Sequence, residues 1–332
     1  MGIKNMLKFL NNNYPHIIKN INNDNFNGNR IAIDISILLY QIIIAIRNSG
    51  ADMTNKQGDI TSHILGLFNK TINFLKLNII PVYVFDGKPP VFKQKVIEAR
   101  RDVKMKAYCK LSENLSEEDK IKYFKRTVSI TKKQIDECKE LLDCMGIPYV
   151  VAPEEADSQC AQLVKAGLVD GVLTEDMDIL TFGSHTIYRN LASHTRTPIK
   201  IELNDILIAL KLSYEQFVEL CILFGCDYSD KLFIKSEMIY KYYLKYKNMN
   251  NTINALIKDK ILFIKNLEEH DISNYTKYKE YFINPPVHNI KIIDMKKPRI
   301  KELDDLLVLK YGLVRMKIYN KLVFLDNYVI TH

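Results

Sequence analysis

The stretch Pro81-Val82-Tyr83-Val84-Phe85-Asp86 is a run of β-branched and aromatic residues that ends on an acid. Two other segments have the same design. They are Arg30-Ile31-Ala32-Ile33-Asp34 and Val169 to Leu173, which leads into Thr174-Glu175-Asp176-Met177-Asp178. Short apolar runs separated by long helical stretches are typical of buried parallel strands. The sequence therefore predicts an α/β fold with a mainly parallel, twisted sheet flanked by helices.

The acids that close these runs predict a binding site. Ligands of an open α/β sheet bind in the crevice outside the carboxyl ends of the strands, so these carboxylates are expected to face one crevice. Like charges a few ångströms apart in a low dielectric cannot all stay ionised. A hard divalent cation held by oxygen atoms, Mg²⁺ or Mn²⁺, is the usual remedy. Taken singly, each Asp is equally well explained as a cap of the helix that follows its strand.

Two further acidic positions strengthen the metal interpretation. Pro153 is predicted to open a helix at its permitted first turn, which places Glu154, Glu155 and Asp157 at the helix N-terminus. Acids there complement the helix dipole, and helical spacing puts Glu154 and Asp157 on one face without singling out Glu155. Asp227 follows an apolar helix and is either a cap or a ligand. Together these acids suffice for two cations about 3.5–4 Å apart, a standard arrangement for phosphodiester hydrolysis.

The composition agrees with a nucleic-acid partner. The chain has 332 residues, is 47% hydrophobic and carries a net charge of +8, which favours an anionic polymer over a membrane. Its longest apolar run, from Ile37 to Ile46, is about half a membrane span and contains Gln41. The six cysteines form no Cys-x-x-Cys pair and the histidines are not clustered, so zinc is disfavoured and reduced thiols in an intracellular protein are expected.

At this point the motifs resemble those of the flap endonucleases, the structure-specific 5′ nucleases of replication and repair. The matching stretches follow one another in order: Met1-Gly2-Ile3, Ala32-Ile33-Asp34, Val82 to Pro90, Asp136 to Lys139, Met145 to Tyr149, Ala152 to Asp157, Thr174 to Gly183 and Gln216 to Cys221. The resemblance is close up to about Tyr228 and looser beyond it. It implies a PIN-like 5′-nuclease fold in a single nuclease domain over 1–332. Within it lie an N-terminal nuclease region (1–108), a helical arch (93–133), an internal nuclease region (134–228) and a helical C-terminal DNA-binding region (229–332).

The resemblance also implies roles for individual residues. The implied metal ligands are Asp34, Asp86, Glu155, Asp157, Asp176, Asp178 and Asp227. The first three favour one cation and the last three the other, with Asp157, where the family usually has Glu, between them. The implied cofactor is Mg²⁺, two ions per active site, with Mn²⁺ as a substitute. Asp178 is also a catalytic candidate, together with Lys93 and Arg100, which match the family residues that reach the scissile phosphate.

The segment from Lys93 to Lys133 contains thirteen Lys or Arg residues against six Asp or Glu residues. Solvated helical faces tend to balance their signs, so this excess favours a surface that tracks phosphates. The resemblance implies that it is the arch through which the 5′ strand passes. The candidate DNA-binding residues are Gly2, Tyr40, Arg47, Lys93, Arg100, Lys122, Lys125, Arg126, Lys132, Lys231, Lys235, Lys241 and Lys245. Tyr40 matches an aromatic that stacks on a base and Arg47 a duplex contact, although the sequence alone explains Tyr40 equally well as a core residue.

The chain departs from the family after Asp227. The family places a glycine-containing helix–hairpin–helix there, which holds a monovalent cation against duplex phosphates, whereas no glycine occurs here between Gly225 and Gly312. Residues 230–236 read Asp-Lys-Leu-Phe-Ile-Lys-Ser, and bulky residues are strained at positive φ. We predict a remodelled turn without a monovalent-cation site, in which lysine side chains grip the duplex. A mixed helix with tyrosines in the core explains residues 240–247 equally well.

These features predict a Mg²⁺-dependent 5′ flap endonuclease and 5′→3′ exonuclease that hydrolyses DNA phosphodiesters by a two-metal-ion mechanism in replication and repair. The alternatives are a related nuclease for other junctions, an RNA 5′ exonuclease, or a junction-binding scaffold without chemistry, against which the complete acid set argues. The expected partner is branched DNA with a 5′ flap and not a membrane. The C-terminus lacks the family's glutamine-led, double-aromatic sliding-clamp peptide. A monomer at sites of DNA replication, in the nucleus or at a viral replication site, is expected.

Overall fold

The computed structural model describes residues 2–22, 26, 28–191, 196–229, 231–262 and 274–328. The chain divides into two compact units, each drawn from three separate segments. Unit 1 comprises Met1–Asn22, Gly87–Val96 and Ala152–Asn289, and unit 2 comprises Asn23–Asp86, Ile97–Val151 and Ile290–His332. Among the described residues, no helix is both long enough and apolar enough to cross a membrane.

Seven strands and fourteen α-helices occur in the described residues. The strands are β1 (Ile18–Asn20), β2 (Asn29–Asp34), β3 (Ile79–Phe85), β4 (Tyr149–Val151), β5 (Gly171–Leu173), β6 (Thr186–Arg189) and β7 (Ile199–Glu202). The helices are α1 (Met6–Asn13), α2 (Ile35–Arg47), α3 (Ser62–Lys76), α4 (Gln94–Leu111), α5 (Glu117–Arg126), α6 (Lys132–Met145), α7 (Ala156–Lys165), α8 (Leu203–Leu210), α9 (Tyr214–Phe224), α10 (Ser236–Tyr246), α11 (Met249–Lys258), α12 (Tyr275–Ile283), α13 (Ile300–Asp305) and α14 (Arg315–Asp326).

The three strands of unit 2 are parallel, in the order β2-β3-β4, with Ile33 opposite Tyr83 and Phe85 opposite Val151. Every residue of β3 is buried, as expected of a central parallel strand that is covered on both faces. The buried hydroxyl of Tyr83 is satisfied by Thr71 Oγ1 of α3 at 2.8 Å. The apolar runs ending at Asp34 and Asp86 are therefore parallel strands, as predicted.

The four strands of unit 1 follow the order β1-β7-β6-β5. β5 and β6 are parallel, whereas β7 runs antiparallel to both β6 and β1. The apolar run that precedes Asp176 thus contains β5, which is parallel to its neighbour β6. The antiparallel strands β7 and β1 follow on the other side of β6. The predicted α/β class with a mainly parallel sheet and flanking helices is confirmed.

The predicted arch segment is helical and largely solvent-exposed. α4 has one buried residue, Ala107, and α5 has none. Ser116 caps α5 by accepting a hydrogen bond from the backbone N–H of Asp119 at 3.2 Å. Because both helices bury few apolar side chains, they gain little stability from core packing.

The helix start expected at Pro153 is wrong. α7 begins at Ala156 with Glu155 at its N-cap, so Glu154 is not a first-turn acid. The reason is a pair of long-range hydrogen bonds: the N–H of Gly87 donates to the Glu154 carbonyl at 2.6 Å, and that of Lys88 to the Pro153 carbonyl at 3.2 Å. These bonds fix the backbone at residues 153–154, which bends ahead of the helix.

Residues 231–235, where the sequence predicts a remodelled turn, form an irregular segment. The backbone N–H of Ile234 donates to the Leu232 carbonyl at 2.7 Å, Leu232 is fully buried and Phe233 is 80% exposed. None of the described residues from 231 to 236 has a positive φ, which confirms that the bulky residues avoid the left-handed region. Asp230 lies outside the described residues.

Candidate active site

Two of the candidate ligands follow directly from the end of β5 in unit 1. Thr174 Oγ1 accepts a hydrogen bond from the backbone N–H of Asp176 at 2.9 Å, and Asp176 Oδ1 accepts one from the N–H of Asp178 at 3.2 Å. Asp178 then opens a single 3₁₀ turn that ends at Leu180. Both carboxylates are buried. This loop geometry presents two acids, two residues apart, from the carboxyl end of one strand.

The carboxyl group of Asp178 has a raised pKa, which has two causes. Burial raises the pKa of Asp178 well above the ordinary carboxyl value, and the charges of Asp176, Asp227 and Asp157 raise it further. Burial also raises the pKa of Asp176. Asp178 Oδ1 is inaccessible to solvent and has no hydrogen-bond partner among the described residues. A buried carboxylate oxygen without a donor is costly, and a bound cation is one way to satisfy it.

Lys93 supplies positive charge to this group of acids. Its ammonium forms an ion pair with Glu155 Oε1 and lies 3.8 Å from Asp227 Oδ2. Burial alone would lower the pKa of Lys93, but the charge of Glu155 and its hydrogen bond raise it above the ordinary lysine value, assisted by Asp157 and Asp227. Lys93 is therefore held as a cation beside Glu155 and Asp227, and its contact with the scissile phosphate remains a prediction.

Two tyrosines contact acids of this site and were not identified from the sequence. The Tyr228 hydroxyl donates to Glu155 Oε2, and the Tyr281 hydroxyl donates to Glu154 Oε2 at 2.8 Å. Burial raises the pKa of both hydroxyls, and the nearby Glu155 charge raises it further, so both remain hydrogen-bond donors near neutral pH. Tyr228 directly follows Asp227, and that adjacency was the available signal. Nothing in the local sequence distinguishes Tyr281.

Gly2 lies against a candidate ligand. Its φ is 81°, and an added Cβ would overlap Asp176 Oδ1, so only glycine fits at this position. The following segment is fixed by the backbone N–H of Lys4, which donates to the Gly225 carbonyl at 2.8 Å. The N-terminal segment thus packs directly on the acidic site of unit 1. The predicted contact of Gly2 with DNA remains a prediction.

The residues of unit 1 fit a hard divalent cation in their chemistry. Five candidate ligands belong to this unit: Glu155, Asp157, Asp176, Asp178 and Asp227. All of them offer oxygen, the donor that Mg²⁺ and Mn²⁺ prefer, and one buried oxygen of Asp178 lacks a partner. Within the described residues, no three His, Cys, Asp or Glu side chains are grouped closely enough to hold a metal ion. Two of the five, Glu155 and Asp227, lie within 4 Å of the Lys93 ammonium.

The other two candidate ligands, Asp34 and Asp86, belong to unit 2 and are linked through Ser36. Asp34 Oδ1 caps α2 by accepting hydrogen bonds from the backbone N–H groups of Ser36 at 2.7 Å and Ile37 at 3.2 Å. Ser36 Oγ donates to Asp86 Oδ2 at 2.7 Å. The helix-cap interpretation of Asp34 is therefore confirmed. It is compatible with metal binding because a carboxylate has two oxygens and several acceptor positions.

The two DNA-contact candidates on α2 differ in accessibility. Tyr40 is 41% exposed and is not a core residue. The Arg47 side chain is only 11% exposed: its Nε and Nη2 each lie 2.9 Å from a carboxylate oxygen of Asp52. The same guanidinium donates to the Phe124 carbonyl at 2.9 Å and lies 4.1 Å above the Phe124 ring. Arg47 thus connects α2 to the end of α5.

The basic side chains of the arch are partly engaged with neighbours on the surface. Lys122 pairs with Asp119 at 3.1 Å, Lys125 donates to Asn48 at 2.9 Å, and the Arg126 guanidinium lies 5.6 Å from the centre of the Tyr123 ring. Arg100 on α4 and Lys132 at the start of α6 are exposed. Exposed pairs of this kind contribute little to stability, so these cations can exchange their partners for phosphates at small cost.

The helix α10 combines both interpretations of its sequence. Tyr243 is fully buried, and its hydroxyl donates to Glu219 Oε2 at 2.8 Å. Lys241 and Lys245, four residues apart, are exposed on one helix face. Lys235 is also exposed and Lys231 is half-buried. Tyr243 anchors the helix and the lysines face solvent, and the contact of these lysines with duplex phosphates remains a prediction.

Two family models match the chain, the XPG N-terminal domain over residues 1–107 and the XPG I-region over residues 146–227. Flap endonuclease 1 of Leishmania braziliensis is 39% identical over 331 residues, which cover 96% of this chain and 81% of that protein. Flap endonuclease 1 of Glycine max is 46% identical over 239 residues, which cover 70% of this chain and 63% of the soybean protein.

Several solved structures are also similar to this chain. Flap endonuclease-1 from Methanococcus jannaschii matches with a TM-score of 0.72 and 31% identity, over 94% of this chain and 96% of that one. The catalytic core of Rad2 in complex with DNA substrate matches with a TM-score of 0.71 and 26% identity, over 98% of this chain and all of that one. Human GEN1 in complex with Holliday junction DNA, at 21% identity and a TM-score of 0.66 over 98% of this chain and 77% of that one, shares the fold.

Proposed function

The chain belongs to the flap endonuclease family, and we propose that it is a structure-specific nuclease that cleaves branched DNA at a 5′ flap, with 5′→3′ exonuclease activity. The observation that carries the proposal is the set of buried acids of unit 1, Glu155, Asp176 and Asp178, with the Lys93 ammonium paired to Glu155 and one oxygen of Asp178 without a hydrogen-bond partner among the described residues. A binding scaffold has no use for such a group, because uncompensated buried charge destabilises a fold. Its place would be in DNA replication and repair, in the nucleus or at a viral replication site.

We propose Mg²⁺ as the cofactor, two ions per site, with Mn²⁺ as a substitute. Within unit 1 the ligands would be Glu155, Asp157, Asp176, Asp178 and Asp227, while Asp34 and Asp86 of unit 2 are proposed from the resemblance alone. When bound, such ions lower the pKa of water and neutralise charge on the leaving oxygen of a phosphodiester. Asp157 has a shorter side chain than the Glu that is usual in the family, so it reaches less far toward an ion.

The protein's own basic groups would bind and orient the substrate. Lys93, held as an ammonium by Glu155 and Asp227, would contact the scissile phosphate, with Arg100 as a second contact. Opposite charge fixed in a partly buried site costs no reorganisation when the reaction occurs. The exposed lysines of the arch and of α10 would bind the remaining phosphates through charge alone.

A nuclease with a different preferred junction is the second candidate function. The glycine-free segment at residues 231–235 favours it, because side chains such as Lys231 and Lys235 would there take the place of the backbone grip of a helix–hairpin–helix. Lysine side chains recognise charge and not the exact path of a duplex, which leaves junction preference to other parts of the protein.

Cleavage of a substrate panel would test both candidates. Labelled 5′-flap, nicked, Holliday-junction and RNA substrates would be incubated with the protein and Mg²⁺ under single-turnover conditions. The proposed function predicts that the 5′ flap is cut fastest, at or next to the junction, giving a 5′-phosphate and a 3′-hydroxyl. Faster cutting of the Holliday junction would favour the second candidate, and faster cutting of RNA would contradict both.

A further inference from the structure

The Tyr228 hydroxyl contacts a candidate ligand, and no role has been assigned to it above. It donates to Glu155 Oε2, while Lys93 binds Oε1 of the same carboxylate. Both Tyr228 and Glu155 are buried. The two oxygens of Glu155 are therefore held from two sides, one by a neutral donor and one by a cation.

The Tyr228 ring is fixed by aromatic packing that also reaches Lys93. The Phe92 ring meets the rings of Tyr228 and Tyr281 edge to face, with centroids 5.0 and 4.8 Å apart, and these two tyrosines meet each other at 5.5 Å. Phe92 directly precedes Lys93 in the chain. We name Phe92, Tyr228 and Tyr281 the aromatic triad. Edge-to-face packing restricts ring rotation, so the triad fixes both the Tyr228 hydroxyl and the backbone that carries Lys93.

We propose that Tyr228 is a positioning residue for Glu155 in divalent-metal binding. Its hydroxyl would hold Oε2 in place so that Oε1, which now faces Lys93, is presented to the ion. Groups that hydrogen-bond a ligating side chain orient it and commonly change metal affinity by about 10–100-fold when removed. This inference rests on the proposed function, since it assumes that Glu155 is a ligand.

Tyr281 provides a matched control within the same triad. It donates the same kind of hydrogen bond, at 2.8 Å, to Glu154, which is not a candidate ligand. The variants Tyr228→Phe and Tyr281→Phe therefore each remove one phenolic hydroxyl from one ring cluster and leave the rings in place. A loss caused only by weaker packing or by a missing buried hydrogen bond would occur in both variants.

The test is the affinity for Mn²⁺ without DNA, measured by titration calorimetry on the full chain. Tyr228→Phe is expected to raise the Mn²⁺ dissociation constant about tenfold, whereas Tyr281→Phe should change it less than about twofold. The midpoint of thermal unfolding without metal, compared between the two variants, reports any loss of fold. Equal Mn²⁺ affinity in Tyr228→Phe and wild type, or equal loss in both variants, would overturn the proposal.

A double-mutant cycle tests whether Tyr228 acts through Glu155. In a Glu155→Gln background the Tyr228→Phe change should have little further effect on Mn²⁺ affinity, because the carboxylate that it positions is gone. An unreduced effect in that background would overturn the proposal. A second variant, Phe92→Leu, loosens the packing behind Tyr228 without removing a hydroxyl and should weaken Mn²⁺ binding in the same direction.

Flap cleavage by the wild-type protein separates this inference from the proposed function. If wild type cuts the 5′ flap and Tyr228→Phe binds Mn²⁺ normally, the positioning role is wrong and the proposed function stands. If Tyr228→Phe loses Mn²⁺ affinity while wild type cuts no branched DNA, the proposed function is wrong and the positioning role stands.

Discussion

The acidic group of unit 1 and the arch helices α4 and α5 both concentrate charge of one sign, but they compensate it in different ways. Glu155, Asp176 and Asp178 are buried, and Glu155 is bonded by Lys93 and Tyr228. The arch is exposed, and its lysines make only surface pairs such as Lys122 with Asp119. Buried charges interact strongly and need specific partners, whereas exposed charges are screened by water and salt. A single substitution at one of these acids should therefore cause a large loss of activity. Substitutions in the arch should each cause a small loss of DNA affinity, and these losses should add up and depend on the salt concentration.

The largest effect is expected at Asp178. Asp178→Ala should lower flap cleavage by several orders of magnitude while flap binding persists, because the metal site supplies several kcal/mol of transition-state stabilisation. Single-turnover rates and binding isotherms would check this. Asp170→Ala, an exposed acid ahead of β5, is the matched control and should cleave like wild type. A rate for Asp178→Ala within about tenfold of wild type, about 1.4 kcal/mol of barrier, would exclude the assigned role.

The next largest effect is expected at Lys93 and Arg100. Lys93→Ala and Arg100→Ala should each lower the single-turnover rate more than they weaken flap binding, because both groups are proposed to contact the scissile phosphate. Lys125→Ala, at an arch lysine that donates to Asn48, should mainly weaken binding. If Arg100→Ala changed affinity alone, Arg100 would be one more backbone contact of the arch.

A moderate effect on stability is expected at Arg47. An arginine on the protein surface contributes little to stability. The guanidinium of Arg47, in contrast, bonds Asp52 and the Phe124 carbonyl and lies over the Phe124 ring. Arg47→Ala should lower the free energy of unfolding by about 2 kcal/mol, the usual loss for hydrogen bonds to a charged group. Urea denaturation with Arg126→Ala as the exposed control measures this difference. Unchanged stability together with weaker duplex binding would assign Arg47 to DNA instead.

A smaller effect, on the salt dependence of flap binding, is expected at Lys122 of the arch. Lys122→Ala should weaken flap binding at low salt and reduce the slope of log affinity against log salt by about one, as expected for one lost phosphate contact. Affinities measured between low and physiological salt give the slope. The same slope as wild type would mean that Lys122 stays paired with Asp119 when DNA is bound.

The smallest effect is a pH dependence of the metal-free fold. Burial raises the pKa of Asp178 and of Asp176, so the folded state keeps protons that the unfolded chain has released. Stability without metal should therefore fall as pH rises from about 4, the ordinary Asp value, through the raised pKa values. Asp178→Asn should flatten this fall in unfolding titrations. If the stability of Asp178→Asn depended on pH as that of the wild type does, the pKa of Asp178 would not be raised in the folded state.

The apolar runs and the helix punctuation made much of the fold predictable. β2 and β3 end at or next to Asp34 and Asp86, and α6 ends before Gly146, whose φ of 71° suits glycine. The predicted start of α7 at Pro153 was wrong because long-range hydrogen bonds from Gly87 and Lys88 hold residues 153–154. Such bonds leave no pattern in the local sequence.

The candidate site was less predictable than the strands that carry it. The acids could be read from the sequence because they follow strands or match family motifs. Tyr281 could not, because it reaches Glu154 from α12, more than a hundred residues away in the chain. Arg47 matched a duplex contact of the family, and only the packing of Phe124 against α2 shows that its guanidinium is engaged within the protein.

The most direct measurement of the central claim is single-turnover cleavage of one labelled 5′-flap substrate by wild-type protein, first in EDTA and then after addition of excess Mg²⁺. We expect no cleavage in EDTA and rapid cleavage after Mg²⁺ is added, which leaves a 5′-phosphate on the duplex strand that a ligase can join to the adjacent 3′-hydroxyl, and no rescue of Asp178→Ala by Mg²⁺. Cleavage in EDTA, or a wild-type rate for Asp178→Ala, would contradict the account.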